Sequence, residues 1–370
     1  MYFAFSDEQT MIRDAANDLA QRFAPISRVR KLVEETGEPH CQDLWRNLAD
    51  AGFLGTLVPE VYGGAGLGFM EIGCVLEAMG AALATVPCLG TAVLAVETIK
   101  TLGNDRQRRQ WLPEIANGKL IVCPILGNSA GQASLSIKGD TVVLNGRFAP
   151  VFYGQSADLF LVEAHDVRRG ENVIVPVSPR MQGLKISDMP LLDRTRRFAM
   201  MEFVNVQLPD GEEALLPINM EQASRLQAAA VAATASEMLG GALEVVEMGC
   251  SYARERQQFG QPIGAFQAVK HMLSDQHVAL EGARSAVYAA LWSLDEDPEN
   301  ASVVAAMAKA VMSDVYLKIA SENIQIHGGM GFTTEAHAHL YLKRAQIDRM
   351  TFGTPDAHYQ FLAERLEALA

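Results

Sequence analysis

The sequence predicts an α+β protein in which a helical N-terminal bundle and a C-terminal four-helix bundle flank a middle antiparallel β-barrel or sandwich. Three observations support this prediction. The chain of 370 residues is too long for one small core, so two or three packed regions are expected. Apolar residues recur at helical spacing towards both ends of the chain. Short β-prone runs separated by turn dipeptides fill the middle, so we place domains at residues 1–119, 120–210 and 211–370.

The N-terminal domain is predicted to contain helices only. Ser6 is a favourable N-cap, and Gln9 completes a capping box for a helix that runs to about residue 23. Further helices are predicted at residues 41–51, 71–80, 84–102 and 105–117. The glycine-rich segment at residues 63–68 lacks the Lys-Ser/Thr pair of a P-loop and its strand-then-helix context, so we interpret it as a structural turn.

The middle domain begins where the hydrophobic period changes at Leu120. Strands are predicted at residues 120–126, 134–138, 141–145, 158–163, 172–177 and 198–206. The dipeptides Gly139-Asp140 and Asn145-Gly146 predict turns between them. No helix of ordinary length fits between these runs, which argues against a Rossmann unit and favours an antiparallel sheet or barrel.

The C-terminal domain returns to helical spacing. Helices are predicted at residues 220–256, 266–294, 300–326, 336–347 and 355–369. Alanine-rich turns at residues 228–233 allow helix axes to approach closely, as in a large bundle or one that packs against copies of itself.

Composition excludes several classes of function. The net charge of −13 argues against a nucleic-acid binder, which needs a basic face. The five cysteines are odd in number and widely spaced, so neither structural zinc nor a disulfide framework is predicted. His337 and His339 lack an acidic companion, and no metal site is expected. The first residues do not resemble a signal peptide and no apolar run spans a bilayer, so we expect a cytoplasmic protein without membrane insertion.

One stretch, residues 256–267, combines a cation, an aromatic ring and a glutamine. Arg256 and Phe259 are spaced i and i+3 at the predicted end of a long helix, and Gln267 opens the next helix. A guanidinium beside an aromatic plate and a glutamine suits a pyrophosphate joined to an adenosine. From spacing alone, however, the favoured interpretation is an ordinary helix C-terminus with a dipole-complementing arginine and a packed phenylalanine.

The domain order and four motifs resemble the acyl-CoA dehydrogenase family along nearly the whole chain. The motifs lie at residues 58–66, 104–118, 256–267 and 325–332. The resemblance implies an FAD cofactor at a subunit interface, an acyl-CoA substrate, a homo- or hetero-tetramer and an electron-transfer flavoprotein as acceptor. It also implies that Arg256 binds phosphate through its guanidinium and that the Phe259 ring packs against the cofactor. Gln267 and Gln325 would donate or accept hydrogen bonds, and Gly328 and Gly329 would let the backbone approach the nucleotide closely. Thr354 is the seventh residue expected to bind the cofactor.

The chain departs from the family at the catalytic base and in the middle domain. The two usual positions of the glutamate base hold Phe352 and Ala230, neither of which accepts a proton, so no catalytic residue is predicted. Residues 126–132 replace the family's Thr-Glu-Pro loop, and Pro150 and Phe152 stand where Trp and Thr usually pack on the isoalloxazine. Contacts to the chain's own FAD therefore look eroded, whereas those offered to a neighbour's FAD look intact.

This asymmetry favours a non-catalytic partner in an α2β2 acyl-CoA dehydrogenase, resembling the heterotetramers that degrade steroid side chains. One alternative is a homotetrameric dehydrogenase in which Glu237, Asp348 or Asp356 replaces the base, although each is more simply explained as a surface or capping charge. Another is a flavin-dependent oxidase or monooxygenase of the same fold, whose oxygen chemistry needs no base for an α-proton. A purely structural protein with a degenerate fold is the fourth interpretation.

Overall fold

The computed structural model describes residues 5–34, 37–127, 131–138, 141–208 and 211–367, which form two compact units. The helical unit comprises Met1–Arg30, Phe69–Ala84 and Ala228–Ala370, and the sheet unit comprises Lys31–Gly68 and Thr85–Gln227. Each unit is therefore assembled from segments that are distant in the sequence. The three domains placed along the sequence remain a prediction.

Helices occupy both terminal parts of the chain, as predicted. They are α1 (Asp7–Phe23), α2 (Ile26–Glu34), α3 (Gln42–Asp50), α4 (Phe69–Ala81), α5 (Val96–Leu102), α6 (Asp105–Ala116), α7 (Met220–Glu255), α8 (Gln267–Glu296), α9 (Ala301–His327), α10 (Ala338–Met350) and α11 (Pro355–Glu367). The predicted capping box at α1 is confirmed, because Ser6 Oγ accepts from the Gln9 amide at 3.1 Å and Gln9 Oε1 accepts from the Ser6 amide at 3.0 Å.

In the helical unit, α4 and α7 touch backbone to backbone. A Cβ added to Gly80 would collide with the carbonyl oxygen of Glu237, and one added to Gly240 would collide with that of Glu77. Ser236 Oγ also donates to the Gly73 carbonyl at 2.8 Å. The two axes can approach this closely because both helices carry glycine at the crossing.

Helix α7 is the one helix in the described ranges that is long and apolar enough to cross a membrane. Its most apolar window is 89% buried inside the protein. The core helix of a folded domain shows the same length, composition and burial.

The sheet unit holds one sheet of eight strands. They are β1 (Val122–Ile125), β2 (Gly131–Lys138), β3 (Thr141–Phe152), β4 (Leu159–Asp166), β5 (Glu171–Val177), β6 (Leu184–Asp188), β7 (Phe198–Leu208) and β8 (Leu216–Pro217). The order is β6-β7-β3-β2-β4-β5-β8, with β1 paired to β4, so within the described strands the path is open and does not close into a barrel.

The sheet is mixed, which corrects the antiparallel prediction. Strands β1 and β2 both run parallel to β4, and the other pairings are antiparallel. Parallel neighbours cannot be joined by a tight turn and usually have a helix between them. Here strands replace the helix: β3 lies between β2 and β4 in the sequence, and both β2 and β3 lie between β1 and β4. Hydrophobic periodicity reports which residues face the core but not which strands pair, so the α+β class is confirmed and the pairing was missed.

The core of the sheet unit is built from alternate residues of its long strands. Phe148 of β3 and Phe203 of β7 meet edge to face with ring centroids 6.0 Å apart, and both are buried. Strand β6 was not predicted because only Leu184 and Ile186 of its five residues pack on the core. The predicted turn at Gly139-Asp140 lies outside the described residues. The predicted turn at Asn145-Gly146 is wrong, because both residues lie inside β3 and pair with β2.

Candidate functional site

The segment after α7 departs from the predicted helix end. Helix α7 stops at Glu255, and the Arg256 amide donates to the Tyr252 carbonyl at 2.8 Å in its last turn. The chain then returns, because the Ile263 amide donates to the Arg256 carbonyl at 2.8 Å. Arg256 and Phe259 therefore do not share a helical face, and that part of the prediction is wrong.

A short β-hairpin carries Phe259 at its tip. Strands β9 (Gln257–Gln258) and β10 (Gln261–Pro262) pair antiparallel, and the two residues between them have positive φ angles, 52° for Phe259 and 80° for Gly260. Two consecutive residues in this conformation define the two-residue hairpin turn whose twist matches that of the strands. Phe259 is 92% exposed and meets Phe266 edge to face, with centroids 6.1 Å apart.

Gln267 begins α8 directly after this hairpin. Phe266 precedes it with extended dihedrals, φ −77° and ψ 135°, and the Gln267 side chain is exposed. The exposed Arg256 and Gln267 therefore stand on the two helix ends that the hairpin joins. A cavity of about 390 Å³ lies at the base of the hairpin and is lined in part by Cys250, Arg254 and Leu273.

The second predicted segment ends α9. Gln325 is exposed in the last turn of the helix, and Gly328 follows with φ 59° and ψ −139°, a conformation that side-chain-bearing residues rarely adopt. A Cβ added to Gly328 or Gly329 would meet nothing within 4 Å. The backbone of both glycines is thus open to a ligand or a second chain.

A ring stack, not foreseen from the sequence, joins the two segments. The Tyr252 ring lies on the His327 imidazole with centroids 4.1 Å apart and planes 22° apart. His327 Nδ1 lies 2.8 Å from the Asn323 carbonyl oxygen, which fixes the imidazole. The ends of α7 and α9 therefore lie together, and no spacing along either helix could have shown this contact in advance.

Large apolar side chains are exposed around both segments. Phe332 is 82% exposed and Met330 is 46% exposed in the turn that follows α9, in addition to Phe259 in the hairpin. Apolar exposure clustered at one end of a helical unit marks a surface that a ligand or partner covers.

Thr354 lies in the turn between α10 and α11. Its Oγ1 accepts from the Ala357 amide at 3.2 Å and so caps the start of α11. Phe352 and Gly353 precede it with positive φ angles of 54° and 112°. Phe352 is half-buried, and no proton acceptor stands at that position.

The other usual base position, Ala230, is buried in α7. Among the substitute carboxylates, Glu237 accepts from the Arg344 guanidinium at 2.9 Å, and both side chains are almost fully buried. Asp348 is 1% exposed, and its charge partly offsets the burial that lowers the pKa of Lys309, whereas Asp356 is exposed in the first turn of α11. Glu237 and Asp348 are thus buried in the helical unit, so the prediction of surface or capping charges is wrong for both. Asp356 is a charge at a helix end, as predicted.

In the sheet unit, Phe152 takes part in an aromatic cluster. Its ring centroid lies 5.0 Å from that of Phe198, and the Arg196 guanidinium lies 5.5 Å from the Phe152 centroid. The replaced loop at residues 126–132 lies partly outside the described residues, at 128–130. A cavity of about 240 Å³ beside Phe198 is lined by both acidic and basic side chains, and none of the predicted cofactor residues lines it.

Across the described parts of the chain, no group of three or more His, Cys, Asp or Glu side chains is placed to hold a metal ion. The predicted cofactor residues instead present a cation, amides, an aromatic ring and open glycine backbone. These groups suit an organic phosphate better than a metal ion.

Most of the chain is similar to known proteins. Residues 6–119 match the family described as acyl-CoA dehydrogenase, N-terminal domain, and residues 224–367 match acyl-CoA dehydrogenase, C-terminal domain. The acyl-CoA dehydrogenase IpdE2 of Mycolicibacterium smegmatis is 31% identical, over 95% of this chain and 96% of its own.

Two solved structures are similar over almost their full length. The ChsE4–ChsE5 complex from Mycobacterium tuberculosis has a TM-score of 0.91 and 25% identity, covering 99% of each chain. The Tcur3481–Tcur3483 steroid ACAD has a TM-score of 0.87 and 27% identity, covering 98% of each chain. The chain therefore belongs to the acyl-CoA dehydrogenase family.

Proposed function

We propose that this chain is the subunit of a heteromeric acyl-CoA dehydrogenase that completes an FAD site held mainly by a partner subunit. The observation that carries the proposal is a contrast within the chain. The segments around Arg256 and Gly328 are exposed and open, whereas the base positions hold Phe352 and Ala230.

The residues present fit the phosphate-containing half of FAD. Arg256 is exposed and supplies a planar fork of donors for a pyrophosphate. Gly328 and Gly329 leave open space where a side chain would otherwise stand, so backbone can approach a nucleotide. Gln267, Gln325 and Thr354 add hydrogen-bonding side chains, and Phe259 adds an exposed aromatic face.

FAD, when bound, supplies the hydride acceptor for α,β-desaturation of an acyl-CoA thioester. Within that reaction we assign this chain binding and orientation only. Its arginine and glycines hold the pyrophosphate, its aromatic tip excludes water from the nucleotide, and the proton acceptor belongs to the partner.

The substrate class follows from the same proposal. An acyl-CoA thioester, derived from a steroid or a fatty acid, fits the family, and similarity to a steroid dehydrogenase complex favours the steroid class. We further assign an electron-transfer flavoprotein as electron acceptor, a tetrameric assembly and a cytoplasmic location as parts of this proposal.

The test is to purify the chain alone and together with a partner dehydrogenase subunit, and to measure FAD per chain from the visible absorbance. We expect little FAD on the chain alone and stoichiometric FAD in the complex. Arg256→Ala in this chain should lower the FAD content of the complex. The matched control is Arg254→Ala, which removes a neighbouring exposed arginine whose pair with Glu247 spans 3.4 Å.

Two other results would replace the proposal. One tightly bound FAD per chain, with dehydrogenation by the homo-oligomer, would favour a homotetramer with its own substitute base. Rapid reoxidation of reduced flavin by O₂ would favour an oxidase or monooxygenase. The buried contacts of Glu237 and Asp348 weigh against the first of these.

A further inference from the structure

Lys309, in the middle of α9, is completely buried. Its Nζ lies 3.2 Å from Ser313 Oγ and 3.4 Å from each of two carbonyl oxygens, those of Arg349 and Gly353. An ammonium has three donors, and three acceptors surround this one. The lysine therefore connects α9 to the end of α10 and to the turn that follows it.

Burying this ammonium destabilises the folded protein. Burial lowers the pKa of Lys309 to about 8, Asp348 opposes this shift, and Arg349 adds to it. Because the pKa in the folded state lies below the ordinary 10.5, the unfolded chain holds the proton more tightly. The destabilisation is complete below about pH 8 and disappears as the pH rises towards 10.5. The charge on this lysine therefore does not itself stabilise the fold at neutral pH.

The turn that Lys309 contacts has an unusual backbone. Phe352 has a φ of 54°, a conformation that costs energy for a side chain of its size, and Gly353 has a φ of 112°. The His358 imidazole also packs so closely that a Cβ on Gly353 would lie 2.8 Å from its Nε2. The turn is thus contacted by a cation from α9 and by a ring from α11.

Thr354 follows this turn directly, and its orientation depends on the path of Phe352 and Gly353. We propose that Lys309 is a positioning residue, whose contact with the Gly353 carbonyl holds the left-handed turn and thereby presents Thr354 to the FAD. The role of Thr354 rests on the proposed function, whereas the clamp on the turn does not. The charged and titratable groups around the ammonium are Asp348 and Arg349 from α10 and His358 from α11.

The test uses the double variant Lys309→Met/Asp348→Asn, which removes both buried charges while nearly keeping side-chain volume. Its matched control is Lys318→Met on the same helix, where Lys318 is 58% exposed. Three quantities are measured: the free energy of unfolding in urea, hydrogen exchange of the backbone amides of residues 351–357 other than Pro355, and the affinity of FAD for the complex with the partner subunit.

We expect amide exchange in the turn to accelerate roughly tenfold or more and FAD affinity to fall roughly tenfold, because the charge-assisted hydrogen bond to the Gly353 carbonyl is lost. The free energy of unfolding should stay unchanged or rise. A merely structural lysine would give the opposite pattern, with lost stability and an unchanged turn, and that pattern overturns the proposal.

A measurement on the unaltered protein covers the case in which the variant does not fold. The protection factors of residues 351–357, corrected for intrinsic exchange, should fall between about pH 7 and about pH 9.5 as the ammonium loses its proton. Constant protection across this range overturns the clamp. Failure of the unaltered complex to bind FAD would refute the proposed function instead, and the exchange result would still decide the role of Lys309.

Discussion

The buried pair between Glu237 and Arg344 offers a test of which carboxylates in this chain are structural. Their charged atoms are 2.9 Å apart, and the side chains are 8% and 2% exposed. Glu237→Gln keeps the shape of the side chain but leaves the Arg344 guanidinium buried without its counterion. Such an uncompensated charge costs about 3–5 kcal/mol. Replacing both residues, as Glu237→Gln/Arg344→Met, should be much milder because no buried charge is left unpaired.

Urea unfolding followed by circular dichroism measures these differences. The control is Glu247→Gln on the same helix, whose pair with Arg254 has side chains 67% and 69% exposed and should contribute less than about 1 kcal/mol. If Glu237→Gln were as mild as this control, the argument from burial would be refuted. If it abolished desaturation while leaving stability intact, Glu237 would be the missing base.

Three further predictions concern the turn and the hairpin. Gly353→Ala should lower the free energy of unfolding by about 1–3 kcal/mol, measured in urea, because φ is 112° and the new Cβ meets His358. Burial lowers the pKa of His358 to about 4, so the unfolded chain binds the proton more tightly than the folded protein does. The free energy of unfolding should therefore fall as the pH drops from 6.5 towards 4. Urea titrations at each pH should show a weaker pH dependence for His358→Gln. Phe259→Ala should leave the free energy of unfolding within about 0.5 kcal/mol, because the ring is 92% exposed, yet lower the FAD content of the complex measured by absorbance.

Each of these has an outcome that contradicts it. An unchanged Gly353→Ala protein would show that the turn relaxes freely. A pH dependence that survives His358→Gln would assign the titration to another group. A strongly destabilised Phe259→Ala protein would mean that the hairpin tip packs against the chain itself.

Local signals were sufficient for much of the helical part of the fold. The α1 capping box was readable because Ser6 and Gln9 are three residues apart, and both of its hydrogen bonds are formed. The hairpin at residues 257–262 was not readable, since its turn places Phe259 in a left-handed conformation that its residue type disfavours. Pairing in the mixed sheet was likewise hidden, because strand partners are chosen by the packing of the whole unit.

From the sequence, candidate site residues could be named only where they belong to a motif. Arg256, Gln267 and Gln325 are exposed, which is compatible with the binding role predicted for them from the sequence. The Tyr252–His327 stack and the buried Lys309 were missed, because each depends on residues that come together only when the helices pack. Spacing along one helix carries no information on such contacts.

The glycine crossing of α4 and α7 also constrains how this sequence can change over time. A Cβ on Gly80 alone forces the two backbones apart, and a Cβ on Gly240 alone does the same. Once the helices have separated, the second Cβ meets space that the first has already opened, so the two effects do not add. Although the two glycines lie far apart in the chain, the effects of substituting them are therefore coupled, and replacing either one alone disturbs the helix crossing.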